Sequence, residues 1–244
     1  MLTNLKSKID NQQAGMKYRH IFFDLDHTLW DFDTNAKITL EELYYHFGLD
    51  QKNIPFDNFY TTYLRHNALL WDRYHKGFIS TEELKWRRMW RTLIDFKIGD
   101  DELAKEMSAK FLDILPTKKV LFDYAIEILE YLVNKKYQLH LITNGFEKTQ
   151  WSKLNNSNLA KYFTHVITSE ICNSIKPSKE IFEYAVKKAN AQLHESIMIG
   201  DNPDADIQGA INAGMDCIFV NHINAEPVCC NYTVYNLKEL ENIL

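Results

Sequence analysis

His20-Ile21-Phe22-Phe23-Asp24-Leu25-Asp26-His27-Thr28-Leu29 opens with residues suited to a buried strand and continues into two aspartates at spacing two. A short apolar run rich in β-branched and aromatic side chains fits a strand covered on both faces, as in parallel sheets. Residues two apart lie on one side of an extended chain, so Asp24 and Asp26 stand together at the strand's carboxyl end. Two carboxylates so close are unfavourable unless a cation shares them or one is protonated. Open α/β sheets bind their ligands at this end of their strands.

Four further runs share this character, at 138–143, 165–168, 196–199 and 217–220. Helical patterns lie between them. One over 120–134 carries Leu121, Tyr124, Ile128, Leu129 and Leu132 on a single stripe. Another starts at Pro177, a residue favoured in the first turn, and turns Ile181, Phe182, Ala185 and Val186 inward. Strands alternating with helices read as βαβ units. Residues 31–115 break the alternation, with helical patterns over 36–47, 56–74, 81–93 and 101–115 and no convincing strand. Ser80-Thr81-Glu82-Glu83 reads as a capping box at the start of the third. The expected fold is α/β: a Rossmann-like doubly wound parallel sheet core with an inserted all-helical cap domain. Residues 16–30 and 116–244 form the core, 31–115 the cap, and 1–15 a flexible N-terminal tail with Met16 as an alternative start.

The 244 residues carry 28 basic and 33 acidic side chains, a formal net charge of −5, and are 45% hydrophobic and 25% charged. That composition supports a sizeable core and excludes disordered and collagen-like classes. A pI near 6.0 argues against a nucleic-acid polymer as partner, because counterion release needs a basic surface. A small anion, by contrast, needs only local positive charge. No apolar stretch reaches the roughly 18 residues of a membrane span, and residues 1–15 lack a signal-peptide core. Cys172, Cys217, Cys229 and Cys230 contain no CxxC pair. They are expected to be reduced and mostly buried in a cytoplasmic protein.

Three other strand ends carry polar residues. Leu141-Ile142-Thr143-Asn144-Gly145 offers a hydroxyl, an amide and a backbone that can present N–H groups to an anion. Lys176-Pro177 sets an ammonium before a helix start, where the macrodipole also favours an anion. Gly200-Asp201-Asn202-Pro203-Asp204-Ala205-Asp206 is an acidic loop leading into a helix. Singly, each reads equally as a turn or a cap. Their joint order, Asp-x-Asp-x-Thr, then Thr, Lys and Asp, argues against four unrelated turns.

On these residues the sequence resembles the haloacid dehalogenase (HAD) superfamily, whose four motifs match Asp24/Asp26/Thr28, Thr143, Lys176 and Asp201/Asp206. The resemblance covers the chain from Met16, including a helical insertion after the first motif as in the C1-capped branch. Asn67-Ala68-Leu69-Leu70-Trp71-Asp72-Arg73-Tyr74, Gly77-Phe78-Ile79-Ser80 and Leu84-Lys85-Trp86-Arg87 resemble the pyrimidine 5′-nucleotidase-like group. The resemblance implies a Mg²⁺-dependent phosphomonoester hydrolase. Asp24 is then the nucleophile that forms an aspartyl phosphate, and Asp26 the acid that later serves as base. Mg²⁺, a hard oxygen-seeking ion, is held by the Asp24 side chain, the Asp26 carbonyl and Asp201, with Asp206 in support. Thr143, Asn144, Gly145 and Lys176 bind the phosphoryl group, and Lys176 also offsets carboxylate charge.

Asp26 argues against hydrolytic dehalogenation, because halide-displacing relatives lack an acid two positions after the nucleophile. A response-regulator receiver is far shorter and has no later Gly-Asp loop. A catalytically idle scaffold would be expected to have lost a charged position, and none is lost. The expected partner is a small-molecule phosphomonoester, with no nucleic acid polymer and no membrane, acting on a monomer or weak dimer. Pyrimidine nucleoside 5′-monophosphates lead; sugar phosphates, phosphoglycolate or a β-phosphoglucomutase-like phosphomutase reaction are the alternatives. In the cap, Trp71, Tyr74, Trp86 and Trp90 with Arg65, Arg73, Arg87 and Arg88 suit either a base-binding surface or an ordinary helical core. Trp71 and Tyr74 are the candidate substrate contacts. The histidines show no metal-ligand cluster, and His27 is expected to orient the nucleophile loop or lie exposed.

Overall fold

β1 (His20–Phe23), β2 (Gln138–Thr143), β3 (His165–Thr168), β4 (Ser196–Gly200), β5 (Asp216–Val220) and β6 (Tyr232–Val234) form one sheet in the order β3-β2-β1-β4-β5-β6. Every pair is parallel. This computed structural model describes residues 17–226 and 228–244; the expected tail 1–15 and the alternative start at Met16 lie outside them. All of β1 is buried, the physical reason its sequence shows no in–out alternation. β6 is a three-residue strand with one buried side chain at the sheet edge. It carries no apolar run to read in advance.

The chain divides into two compact units, the described part of Met1–Asp31 with Leu121–Leu244, and Phe32–Val120. The second unit is helical: α1 (Phe32–His46), α2 (Phe56–His75), α3 (Thr81–Asp95) and α4 (Asp101–Ile114). The expected capping box opens α3, with Ser80 Oγ accepting from the Glu83 N–H and the Glu83 carboxylate accepting from the Ser80 N–H. α1 begins at Phe32 rather than 36. Asn35 is already buried there, its side chain bonded to both the carbonyl and the N–H of Val120.

The sheet unit contains α5 (Ala125–Asn134), α6 (Glu147–Asn156), α7 (Ser169–Cys172), α8 (Lys179–Lys188) and α9 (Gly209–Ala213). Two helix starts correct the sequence reading. α5 begins at Ala125, not 120: Leu121 bridges to Trp30, the Phe122 N–H donates to the Leu29 carbonyl, and Tyr124 has φ of 70°. Leu121 and Tyr124 therefore lie off its stripe, while Ile128, Leu129 and Leu132 are buried on it. α8 begins at Lys179 behind Ser178, so Pro177 stands outside its first turn, though Ile181, Phe182, Ala185 and Val186 do face inward. The acidic segment after β4 coils as a π-helix, Pro203–Gln208, before α9.

Phe22, Ile142, Ile167, Met198 and Phe219 pack with Ile181, Phe182 and Ala210 in one core cluster. Each large apolar side chain buried this way contributes roughly 1.5–3 kcal/mol. The cysteines are unpaired with one another, but only Cys217 is buried; Cys172 and Cys230 are half-buried and Cys229 is exposed. The expectation of mostly buried thiols is corrected accordingly: Cys229 and Cys230 sit in the segment between β5 and β6, where Cys230 packs partly against the core and Cys229 stands exposed.

Three adjacent strands contribute an unforeseen row of imidazoles. His140 stacks on His20 and His165 at 5.4 and 5.3 Å between ring centroids, and its Nε2 lies 3.1 Å from His20 Nδ1. Burial, aided by the two neighbouring imidazoles, lowers the His140 pKa to about 3. The native ring therefore stays neutral where an unfolded imidazole, with pKa about 6.5, takes up a proton. The unfolded state binds more protons between these values, so His140 makes stability fall as pH is lowered through that window. The limiting slope is about 1.4 kcal/mol per pH unit. Urea unfolding at pH 7 and pH 5 should show a smaller acid loss in His140→Phe than in wild type; equal losses would contradict this.

Candidate active site

β1 and β4 are neighbours, and the connectivity reverses between them, so a crevice opens beyond their carboxyl ends. Asp24 extends β1, its N–H donating to the Ile199 carbonyl at 2.9 Å. Asp201 follows β4, and the π-helix brings Asp206 back against Gly200. A Cβ at Gly200 would lie 2.3 Å from Asp206 Oδ2, so that approach requires glycine. Carboxylate oxygens of Asp24, Asp201 and Asp206 lie within 4.8 Å of one another.

Lys176 is 2% exposed and spends its three N–H donors on Asp24 Oδ1 at 2.5 Å, Asp206 Oδ1 at 2.6 Å and the Ile142 carbonyl at 2.9 Å. Its charge serves the carboxylates. Burial, followed among the raising influences by the charges of Asp206 and Asp201, pushes the Asp24 carboxyl well above its ordinary range, against the pull of Lys176. Burial and then Asp206 raise Asp201 to about 7, although the Thr28 hydroxyl donates to Asp201 Oδ1 at 2.9 Å. Three acids crowd around one ammonium.

Asp26 is housed separately. Lys153 Nζ donates to Asp26 Oδ1 at 2.6 Å and Gln150 Nε2 to Asp26 Oδ2 at 2.9 Å. The sequence left two ways to tolerate paired aspartates, a shared cation or a proton; the structure adds a third, a separate ammonium for each. Thr143 Oγ1 accepts from Gln150 Nε2 at 2.6 Å and from the Gly145 N–H at 3.1 Å.

Asn144 and Gly145, expected at the phosphoryl group, also have structural tasks. The Asn144 side chain donates to the Lys176 carbonyl and accepts from the Lys176 N–H, at 2.9 and 2.8 Å, tying the end of β2 to the lysine loop. A Cβ at Gly145 would lie 2.1 Å from Gln150 Nε2, so the glycine makes room for that amide. His27, with φ of 62°, sits in the turn after Asp26. Its neighbour Thr28 is held from outside, the His222 ring lying 3.1 Å from the Thr28 carbonyl while stacking on Phe122.

Sequence reasoning missed Gln150, Lys153 and His222. The first two show themselves only in the structure, where α6 turns Gln150, Lys153 and Leu154 inward and leaves Trp151 39% exposed, the reverse of ordinary amphipathicity.

Trp71 and Tyr74 lie on α2, half-buried, with ring centroids 5.7 Å apart. Much of the surrounding basic character is locally committed. Arg65 pairs with Asp95, Arg87 with Glu83, and Arg88 is buried on the Leu84 carbonyl and Asn67. Trp86 and Trp90 stand edge to face, and Trp90 Nε1 donates to Asp101. Among the described residues no helix is long and apolar enough to cross a membrane.

Pyrimidine 5′-nucleotidase PynA of Streptococcus pneumoniae is 31% identical over 237 residues, covering 94% of this chain and 96% of that protein. Pyrimidine 5′-nucleotidase YjjG of Escherichia coli is 28% identical, covering 94% and 99%. The crystal structure of the HAD-hydrolase YfnB of Bacillus subtilis, bound to magnesium, matches with a TM-score of 0.85 and 27% identity, covering 93% of this chain and 99% of that one. The family profile of the haloacid dehalogenase-like hydrolases matches residues 18–214. A match of that extent, on a sheet of this strand order, places the chain in the haloacid dehalogenase-like hydrolase family.

Proposed function

We propose that the chain is a Mg²⁺-dependent phosphomonoester hydrolase that works through an aspartyl phosphate on Asp24 and takes pyrimidine nucleoside 5′-monophosphates. The observation that carries this reading is the separate housing of two nearby aspartates. Asp24 shares a cluster with Lys176, Asp201 and Asp206, while Gln150 and Lys153 of α6 hold the Asp26 carboxylate. Different surroundings let two like groups take different roles in one reaction.

The donor set fits Mg²⁺. Three carboxyl groups crowd one ammonium, more acid than it can offset, and every available donor is an oxygen. Asp24, Asp201 and the Asp26 carbonyl would hold the ion, with Asp206 in support through Lys176. Once bound, it polarises phosphoryl oxygens and offsets the charge that grows on them. Mg²⁺ alone should raise the unfolding temperature of the protein, since a ligand at a hundredfold excess over its Kd stabilises by about 2.7 kcal/mol. Asp201→Asn should lose most of that shift, and a melting curve indifferent to Mg²⁺ would remove the metal from the account.

Lys176 holds Asp24 through Oδ1, and a carboxylate oxygen of Asp24 attacks phosphorus. The bond from phosphorus to the ester oxygen breaks, and Asp26 supplies that oxygen with a proton. Asp26 then takes a proton from water as the water oxygen attacks phosphorus, the Asp24–phosphorus bond breaks, and inorganic phosphate leaves. Thr143 Oγ1 accepts two N–H groups, so its own proton is available to a phosphoryl oxygen.

The pyrimidine preference is supported by the names of PynA and YjjG and by the aromatic pair Trp71 and Tyr74, whose faces suit stacking on a flat base. A phosphate-release panel tests it. Pyrimidine 5′-monophosphates, deoxy forms included, should show higher kcat/KM than small sugar phosphates. Trp71→Ala or Tyr74→Ala should reduce that preference more than para-nitrophenyl phosphate turnover. A tenfold advantage for sugar phosphates would overturn the substrate class and leave the phosphatase reading standing.

A further inference from the structure

We infer that Gln150 and Lys153 form a positioning clamp on α6 that sets the Asp26 carboxylate and the Thr143 hydroxyl as one unit. The inference rests on the reading of Asp26 as the group that protonates the leaving oxygen.

Gln150 is fully buried and Nε2 has two hydrogens. One goes to Asp26 Oδ2 and the other to Thr143 Oγ1. The amide cannot be turned over without setting Oε1 against the carboxylate, so its orientation is forced. With the Gly145 N–H also donating to Oγ1, the Thr143 proton is directed away from both donors.

Lys153 takes the other carboxylate oxygen. Its side chain is 3% exposed, and its ammonium also lies 4.4 Å from the centre of the Trp30 ring. Trp30 belongs to the turn that carries Asp26: the His27 N–H donates to the Trp30 carbonyl and the Trp30 N–H to the Leu25 carbonyl, both at 2.9 Å. Each oxygen of Asp26 thus has its own donor, and the turn around it is braced against the same cation.

Packing does not account for this. A helix needing only to cover the sheet would bury Trp151 and expose Gln150 and Lys153, whereas α6 does the opposite. A buried ammonium is costly unless paired, and here its ion pair is with Asp26. Positioning matters because a misplacement of about 1 Å near the reacting atoms costs about 10²-fold in rate.

Single-turnover phosphoenzyme formation tests the clamp, with a nucleoside 5′-monophosphate and para-nitrophenyl phosphate as paired substrates. Nitrophenolate departs without a proton, so only the nucleotide needs a well-placed acid. Lys153→Met and Gln150→Glu should each slow the nucleotide about 10²-fold while slowing the nitrophenyl ester by about tenfold or less. In an Asp26→Asn background, Lys153→Met should cost the nucleotide less than about twofold more, because residues acting through one group are not additive. If Lys153→Met fails to fold, Gln150→Glu, of nearly the same shape, decides through the ratio of the two rates. An unchanged ratio in these variants, or a full further loss in the double variant, overturns the clamp. Should Asp26→Asn itself slow both esters equally, the acid role falls and the clamp with it. Should Asp26→Asn separate the esters while neither clamp variant does, only the clamp falls.

Discussion

Asp24→Asn is expected to fold as the wild type does and to release phosphate roughly 10⁴–10⁶-fold more slowly, the loss found when a nucleophile is removed. The amide matches the carboxylate in shape but offers no anionic oxygen to phosphorus. Lys176 keeps Asp206 and the Ile142 carbonyl as acceptors, so the substitution leaves no buried ammonium unpaired. Matched unfolding curves and a continuous phosphate-release assay separate the two effects. Phosphate release near the wild-type rate from a folded Asp24→Asn protein would contradict the nucleophile assignment.

Lys176→Met carries the largest expected effect on stability. Burial alone would lower the lysine pKa, yet the charges of Asp206 and Asp24 raise it above its ordinary value. Removing the ammonium leaves two buried carboxylates without their counter-charge and orphans the Ile142 carbonyl. Breaking a buried pair in this way costs about 3–5 kcal/mol. Without Lys176 the Asp24 carboxyl loses the cation that opposes its raised pKa and holds its proton to higher pH, so neutralisation relieves the strain as pH falls. The gap between variant and wild type should therefore narrow from pH 8 to pH 6 in urea unfolding. A loss below about 1 kcal/mol at pH 8 would contradict the assignment of Lys176 as the cluster's counter-charge.

The strands were legible because parallel strands buried on both faces appear as bare apolar runs, as β1 does from His20 to Phe23. What the sequence reading misplaced was the chain between elements. Helix α5 starts late because Leu121 and Phe122 are engaged by Trp30 and Leu29, contacts between residues some ninety positions apart that no local pattern encodes. β6 is too short and too exposed to carry a period.

The candidate site divides the same way. Asp24, Asp201 and Asp206 could be placed together because each follows a readable strand end, and their oxygens do converge. Gln150 and Lys153 read as common helix residues, and their task emerges only when α6 is seen to turn them toward Asp26. Gly145 illustrates the limit. Its presence was legible, but the reason for it, the Gln150 amide lying where a Cβ would sit, is a tertiary contact.

Acid-quenched mass mapping after mixing with a nucleoside 5′-monophosphate and Mg²⁺ tests the central claim most directly. The Asp26→Asn variant, mixed instead with para-nitrophenyl phosphate, whose leaving group needs no proton, should accumulate phosphoenzyme, because it lacks the base that activates water for the second step. The account predicts the mass of one phosphoryl group on the peptide containing Asp24, absent from Asp24→Asn and chased to inorganic phosphate in the wild type. Nucleoside release in the first turnover with no phosphoryl group on that peptide, or with the group on another residue, would contradict it.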